Sequence, residues 1–184
     1  MIHEIRLYGD PVLRSPAIRV MNFDQHLHQL AEDLKLTQEH MGAVGLAAVQ
    51  IGSQWNVFSI DGTQVQRRGR REVLANPEVV GQNGEIVDEE GCLSFPGIFV
   101  RIARPQWVAL RAQDLNGKVI EREADGFLAR AYLHEIDHLQ GRLFIDRMDP
   151  DSRAKVVGKM QSIAAKTSPE RRVFPLAPGR DGGP

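Results

Sequence analysis

The apolar positions of this chain fall into short blocks of differing period. Leu27, Leu30, Ala31, Leu34 and Met41 recur at helical spacing, and Asp24 stands where an N-cap belongs. This predicts an amphipathic helix with those five residues on its buried stripe. Gly42 and Gly45 break the period and open a small-residue run, Gly45-Leu46-Ala47-Ala48-Val49-Gln50. Residues 55–60 read as a strand closed by Asp61-Gly62. A second strand is expected around 72–75, after the polar run Gln66-Arg67-Arg68-Gly69-Arg70-Arg71, which reads as an exposed turn. Asn83-Gly84 and Asn116-Gly117 are hairpin signals, and the second would join residues 106–114 to 118–123 as an antiparallel pair. Helical spacing returns at 127–139, with Gly141 placed to end it. A last helix is expected over 151–166, with Val156, Val157, Met160 and Ile163 on one side.

Helix, strands, helix, helix is an α+β order. With 184 residues, the chain suits a single domain, expected over 1–166 and followed by a loose, Pro- and Gly-rich tail over 167–184. Composition narrows the function. Lys plus Arg number 23 and Asp plus Glu number 24, for a formal net charge of -1. That balance argues against a DNA-coating or membrane-coating role. No basic segment followed by an apolar run opens the sequence, and no stretch reaches the ~18 apolar residues of a membrane span. The lone cysteine, Cys92, cannot form an internal disulfide, which fits a reducing cytoplasm.

The sharpest chemistry lies at His134-Glu135-Ile136-Asp137-His138. Four helical residues advance about 400°, so both imidazoles share one face and can reach one metal ion. Glu135 is rotated aside, where it could take a proton from an attacking water. A catalytic ion of this type takes a third protein ligand. No histidine follows His138, so the candidates are Asp146, Asp149 and the upstream thiol in Glu90-Gly91-Cys92-Leu93-Ser94. On its own a single cysteine reads as a small buried apolar residue.

Three segments in order resemble peptide deformylases: Ala43-Val44-Gly45-Leu46-Ala47-Ala48-Val49-Gln50, Glu90 to Ser94, and the histidine pair. Gly9-Asp10-Pro11-Val12-Leu13-Arg14 and His138-Leu139-Gln140-Gly141 extend the likeness to about residues 2–148. Two positions depart from the family pattern: Ala43 stands where its first glycine falls, and Leu133 where it often has Gln.

The resemblance implies antiparallel sheets around a central helix carrying the histidines, with an N-terminal and a C-terminal helix. It implies removal of the formyl group from N-formylmethionyl nascent peptides. Cys92, His134 and His138 would hold one divalent ion, Fe(II) first, with Zn, Ni or Co as substitutes. Glu135 would be the general base. The Gln50 side-chain amide and the Leu93 backbone N–H would stabilise the oxyanion. Val44, Gly45 and Gly91 would border the substrate groove.

Two other readings remain for the histidine pair. A zinc peptidase would need Asp146 or Asp149 as third ligand, and a closed structural site would need a fourth. The arginine run at 67–71 lacks interleaved aromatics for stacking on RNA. The basic C-terminal end, with Arg153, Lys155, Lys159, Lys166, Arg171, Arg172 and Arg180, suggests transient contact with the ribosome.

Overall fold

A computed structural model describes residues 1–66 and 69–167. The tail beyond 167, with Arg171, Arg172 and Arg180, lies outside the described residues, as do Arg67 and Arg68 of the arginine run.

Helix α1 spans Gln25–Met41, and the Asp24 carboxylate accepts from the backbone N–H groups of His26 and Leu27. Gly42 ends it in the left-handed conformation. Leu27, Ala31 and Leu34 are buried and Leu30 is partly so. Met41, expected on this stripe, is instead 41% exposed. Thr37 and Gln38 take the buried positions at that end, because Gln38 Nε2 donates to the carbonyls of Ala43 and Val44. A side chain that satisfies buried carbonyls belongs inside even though it is polar.

Among the described residues seven strands follow: β1 Gly45–Ala47, β2 Val57–Asp61, β3 Arg71–Asn83, β4 Ile86–Gly91, β5 Phe99–Arg104, β6 Trp107–Gln113 and β7 Val119–Asp125. They form a five-stranded sheet ordered β1-β2-β3-β6-β7 and a pair β4-β5, antiparallel throughout. The β6–β7 hairpin forms as expected. Its turn is closed by the Asp114 carboxylate, which accepts from the N–H groups of Asn116 and Lys118.

Asn83-Gly84 does not make a hairpin. Asn83 faces Trp107 and Ile86 faces Arg104, so β3–β4 and β5–β6 form one bent two-stranded ribbon that turns a corner there. Gly84, at φ +66, permits the bend, and its N–H is held by Asn83 Oδ1. The ribbon's actual tip is the segment 92–98, which begins with Cys92.

Helix α2, Gly126–Leu139, is buried at every position from Leu128 to Leu139. Its backbone contacts β1, β2, β6 and β7. A helix buried all round needs internal polar partners for its charged residues, and Arg130 shows how they are met. Its guanidinium donates to Glu90 and to the carbonyls of Ile86 and Ile102, tying α2 to both strands of the ribbon. Helix α3, Pro150–Lys166, rests on the body through Met160 and Ile163. Val157, expected on that face, is 44% exposed, and Val156 is partly buried.

Beneath α2, the fully buried Arg104 guanidinium bridges two carboxylates. It donates to both Glu90 oxygens, at 2.6 and 2.9 Å, and to Asp137 Oδ2 at 2.6 Å. Arg147 completes Asp137 at 2.7 Å. Burial by itself would raise both acids. The hydrogen bonds from Arg104 and His134 to Glu90, and from Arg147 and Arg104 to Asp137, prevail and hold both below the usual carboxylate range. Removing Arg104 takes from both buried carboxylates a partner that Arg130 and Arg147 do not replace, so Arg104→Leu should cost about 3–5 kcal/mol in denaturant unfolding; a loss under ~1 kcal/mol would contradict this. Because both acids are depressed in the folded state, their stabilisation is present above the unfolded values. It should disappear as the pH falls below about 4, read as a falling Tm.

Candidate active site

The corner in the ribbon and the burial of α2 bring three donors together. Cys92, His134 and His138 place their ligand atoms within 4.8 Å of one another. Cys92 Sγ lies 3.2 Å from His138 Nε2. Donors bonded tetrahedrally to one ion sit roughly 3.5 Å apart, given metal–ligand bonds of ~2.0–2.3 Å. The cluster is therefore close to the spacing such an ion needs.

His134 Nδ1 lies 2.6 Å from Glu90 Oε1. A carboxylate accepts, so Nδ1 carries the proton and Nε2 keeps its lone pair for an ion. Burial works against charge on His134, but the Cys92 sulfur and Glu90 hold its proton affinity well above the ordinary value. Burial, and then the neighbouring His134, push His138 well below it. His138 Nδ1 is buried without a hydrogen-bond partner. A thiol and two imidazoles suit Zn, Fe(II), Co or Ni.

Glu135 occupies the floor of a cavity of about 460 Å³ that also exposes Cys92, His134 and Gln50. Burial pushes its carboxyl up to about 7. A group poised there can both take and return a proton at neutral pH. Its Oε2 is buried with no hydrogen-bond partner, so it keeps a free acceptor. Gly45 makes room for this carboxyl. A Cβ built on Gly45 would lie 2.4 Å from Glu135 Oε1.

Gln50 sits in a short 3₁₀ turn, Ala48–Ile51, after β1. Its Oε1 accepts from Ala47 N–H at 2.9 Å, which fixes the amide orientation. Nε2 is thereby turned toward Ser94 Oγ at 3.3 Å and Cys92 Sγ at 3.6 Å. Leu93, Val44 and Gly91 line the same cavity, and His138 lies behind it against Cys92. All nine residues singled out from the sequence thus gather around one centre. The other proposed third ligands do not. Asp146 is paired with Arg14 and accepts from Leu143 N–H, and Asp149 caps α3.

Sequence reasoning missed the support behind the site. Glu90 was visible within the Cys92 segment and Asp137 between the histidines. Arg104, Arg130 and Arg147 carry no local signal, since only the fold brings them to those acids. The apolar cavity rim of Met41, Phe99 and Phe127 was missed for the same reason.

A clustered thiol and imidazole pair, with a buried carboxylate facing an open cavity, is the arrangement of a mononuclear metallohydrolase. The polypeptide deformylase family model matches residues 2–154. A peptide deformylase of Thermotoga maritima is 41% identical over 164 residues, covering 89% of this chain and 97% of the relative. One from Dictyoglomus thermophilum is 41% identical over 147 residues, covering 80% and 93%. The crystal structure of peptide deformylase from Thermus thermophilus superposes with a TM-score of 0.83 at 35% identity, covering 91% of this chain and all of that one. The chain belongs to the polypeptide deformylase family, whose members are metal-dependent hydrolases.

If Cys92 is a ligand, Cys92→Ala should retain less than about a tenth of the wild-type metal after dialysis, measured by elemental analysis, since a lost ligand leaves only two protein donors. Full metal content in that variant would exclude Cys92.

Proposed function

We propose that this chain removes the formyl group from N-formylmethionyl nascent peptides and releases formate. Family membership supports the reaction. The observation that carries the assignment of roles is the Glu135 carboxyl, buried at the cavity floor beside the Cys92–His134–His138 cluster. Residues 1–166 act as one catalytic unit.

Cys92, His134 and His138 hold one divalent ion, Fe(II) first, with Zn, Ni or Co able to replace it. When bound, that ion supplies Lewis acidity toward water and the formyl carbonyl. Glu135 takes a proton from the attacking water as its oxygen adds to the formyl carbon. The carbon–nitrogen bond then breaks, its electron pair stays on nitrogen, and Glu135 returns the proton to that amine. Formate and a free N-terminus are the products.

During attack the carbonyl oxygen gains negative charge. Gln50 Nε2, already aimed past Cys92 by its bond to Ala47 N–H, donates to that oxygen, and so does the Leu93 N–H. Selectivity for formyl over larger acyl groups follows from the crowded floor where Gly45 abuts Glu135. The apolar cavity takes the methionine side chain. Among the described residues strand β1 ends the five-stranded sheet and β4 pairs with β5 alone, so Gly45 and Gly91 each have an open strand edge for the peptide backbone, with Val44 beside them.

No described helix is long and apolar enough to cross a membrane. The substrate places the enzyme in the cytoplasm, in transient contact with the ribosome through the basic C-terminal end. The peptidase alternative gains nothing here, because both of its extra acids are committed elsewhere.

Formate release from a formyl-Met tripeptide by anaerobically prepared, iron-loaded protein tests this reading. Wild type should release formate and leave the unformylated peptide intact. Glu135→Ala should be inactive, and Gln50→Ala should slow turnover about a hundredfold, the usual loss for one oxyanion donor. Cleavage of the unformylated peptide, or full activity of Glu135→Ala, would overturn it. Gly45→Ala should keep its metal yet lose at least about tenfold in kcat, because its methyl group must displace Glu135; misplacing a catalytic group is costly even at a scale of ~1 Å.

A further inference from the structure

The N-terminal segment ahead of the 3₁₀ turn Pro11–Arg14 runs between the two pieces of chain that carry the oxyanion donors. Arg6 N–H donates to the Gln50 carbonyl at 2.7 Å, and Tyr8 N–H donates to the Ser94 carbonyl at 2.9 Å. In extended chain, alternate residues present their N–H groups on one side, about 7 Å apart. Three consecutive residues are thereby bonded both to the turn that holds Gln50 and to the ribbon tip that begins with Cys92.

Side chains fix both ends of this segment. Arg6 lies against Gly52, which caps the Gln50 turn, and a Cβ built on Gly52 would lie 2.8 Å from Arg6 Nη2. The Tyr8 ring packs on Phe95 with centroids 4.8 Å apart, and Phe95 is fully buried and lines the catalytic cavity. The Tyr8 carbonyl accepts from Thr167 Oγ1 at 2.9 Å. Phe95 N–H closes a tight turn on the Cys92 carbonyl at 2.9 Å, which makes Leu93 and Ser94 its two central residues. That turn does not use the Leu93 N–H, whose direction depends on how the turn is held. Tyr8 holds it at the Ser94 carbonyl. Ser94 Oγ meanwhile accepts from Gln50 Nε2 at 3.3 Å, so one residue of the turn is tied to both the N-terminal segment and Gln50.

We propose that Tyr8 is a positioning residue for the reaction: through Ser94 and Phe95 it sets the direction of the Leu93 N–H relative to the Gln50 amide. Tyr8 touches no reacting atom. A side-chain amide and a backbone N–H from distant parts of the chain must converge on one oxygen, and an error of ~1 Å in such a group can cost about a hundredfold in rate. The short N-terminal segment, bonded to both parts, fixes their separation. This rests on the deformylase reading of the same cavity, and the two can fail separately.

A graded series of variants tests it. Tyr8 is the second residue of a turn that Asp10 N–H closes on the Leu7 carbonyl, with Gly9 third at φ +104. Proline fits that second position, so Tyr8→Pro removes the N–H and the ring while the turn survives. Tyr8→Ala removes the ring and keeps the N–H, and Tyr8→Phe keeps both. On a formyl-Met tripeptide, metal-loaded Tyr8→Phe should match wild type, Tyr8→Ala should lose about threefold in kcat and Tyr8→Pro about thirtyfold, with KM and metal content unchanged. NMR relaxation of the zinc-loaded protein reads the same tie without turnover. The Leu93 N–H order parameter should be about 0.85 in wild type and Tyr8→Phe, and below about 0.6 in Tyr8→Pro. Wild-type kcat in Tyr8→Ala or Tyr8→Pro overturns the proposal, as does a loss carried by KM or by missing metal, or a Leu93 N–H that stays rigid in Tyr8→Pro. Absence of formate from wild type overturns the deformylase reading instead, and the order parameters then decide whether Tyr8 holds the Leu93 N–H.

Discussion

The buried Arg104 guanidinium is the contact on which the site's geometry depends. It joins Glu90 on the β-ribbon to Asp137 on α2, and Glu90 in turn orients His134. One charged group thus sets the distance between the strand that leads to the thiol and the helix that carries both imidazoles. The attraction is strong because water is excluded, and for the same reason none of its members can be removed alone. Arg130 and Arg147 bring the cations around Glu90 and Asp137 to three, so two buried acids remain ionised inside an apolar body.

This arrangement leaves the reactive face free of competing demands. Glu90 and Asp137 take the hydrogen bonds of the arginines, and at Glu135 burial prevails over the opposing charge of His134. Two carboxylates two residues apart on the same helix, Glu135 and Asp137, are driven in opposite directions by their surroundings. Such separation lets one helix carry an anion held by arginines beside a carboxyl that burial keeps close to neutral titration.

The backbone contributes as much as the charges. The corner at Asn83-Gly84 carries the ribbon out of the large sheet and over α2, which is why its tip, with Cys92, reaches the histidines. Glycine is needed at two places for want of space rather than for its φ: Gly45 against Glu135 and Gly91 beneath Phe99. Both are spots where the backbone must approach a large side chain closely.

The sequence by itself determined the elements whose signals are local. The Asp24-capped α1, the β6–β7 hairpin, the α2 register placing His134, Glu135 and His138, and the α+β class are all set by spacing within about fifteen residues. Where a position's fate depended on distant partners, local pattern was not enough. Met41 and Val157 have helical spacing but no neighbour among the described residues to cover them, and Asn83-Gly84 has hairpin chemistry inside a ribbon whose register continues past it. The meeting of Cys92 with the histidines spans more than forty residues, and ligand chemistry left it one of three candidates until family likeness chose it. Arg104, thirty-three residues from Asp137, was beyond even that. Tertiary structure decided these because burial and charge pairing are properties of neighbours in space, and a chain's local pattern specifies only neighbours along it.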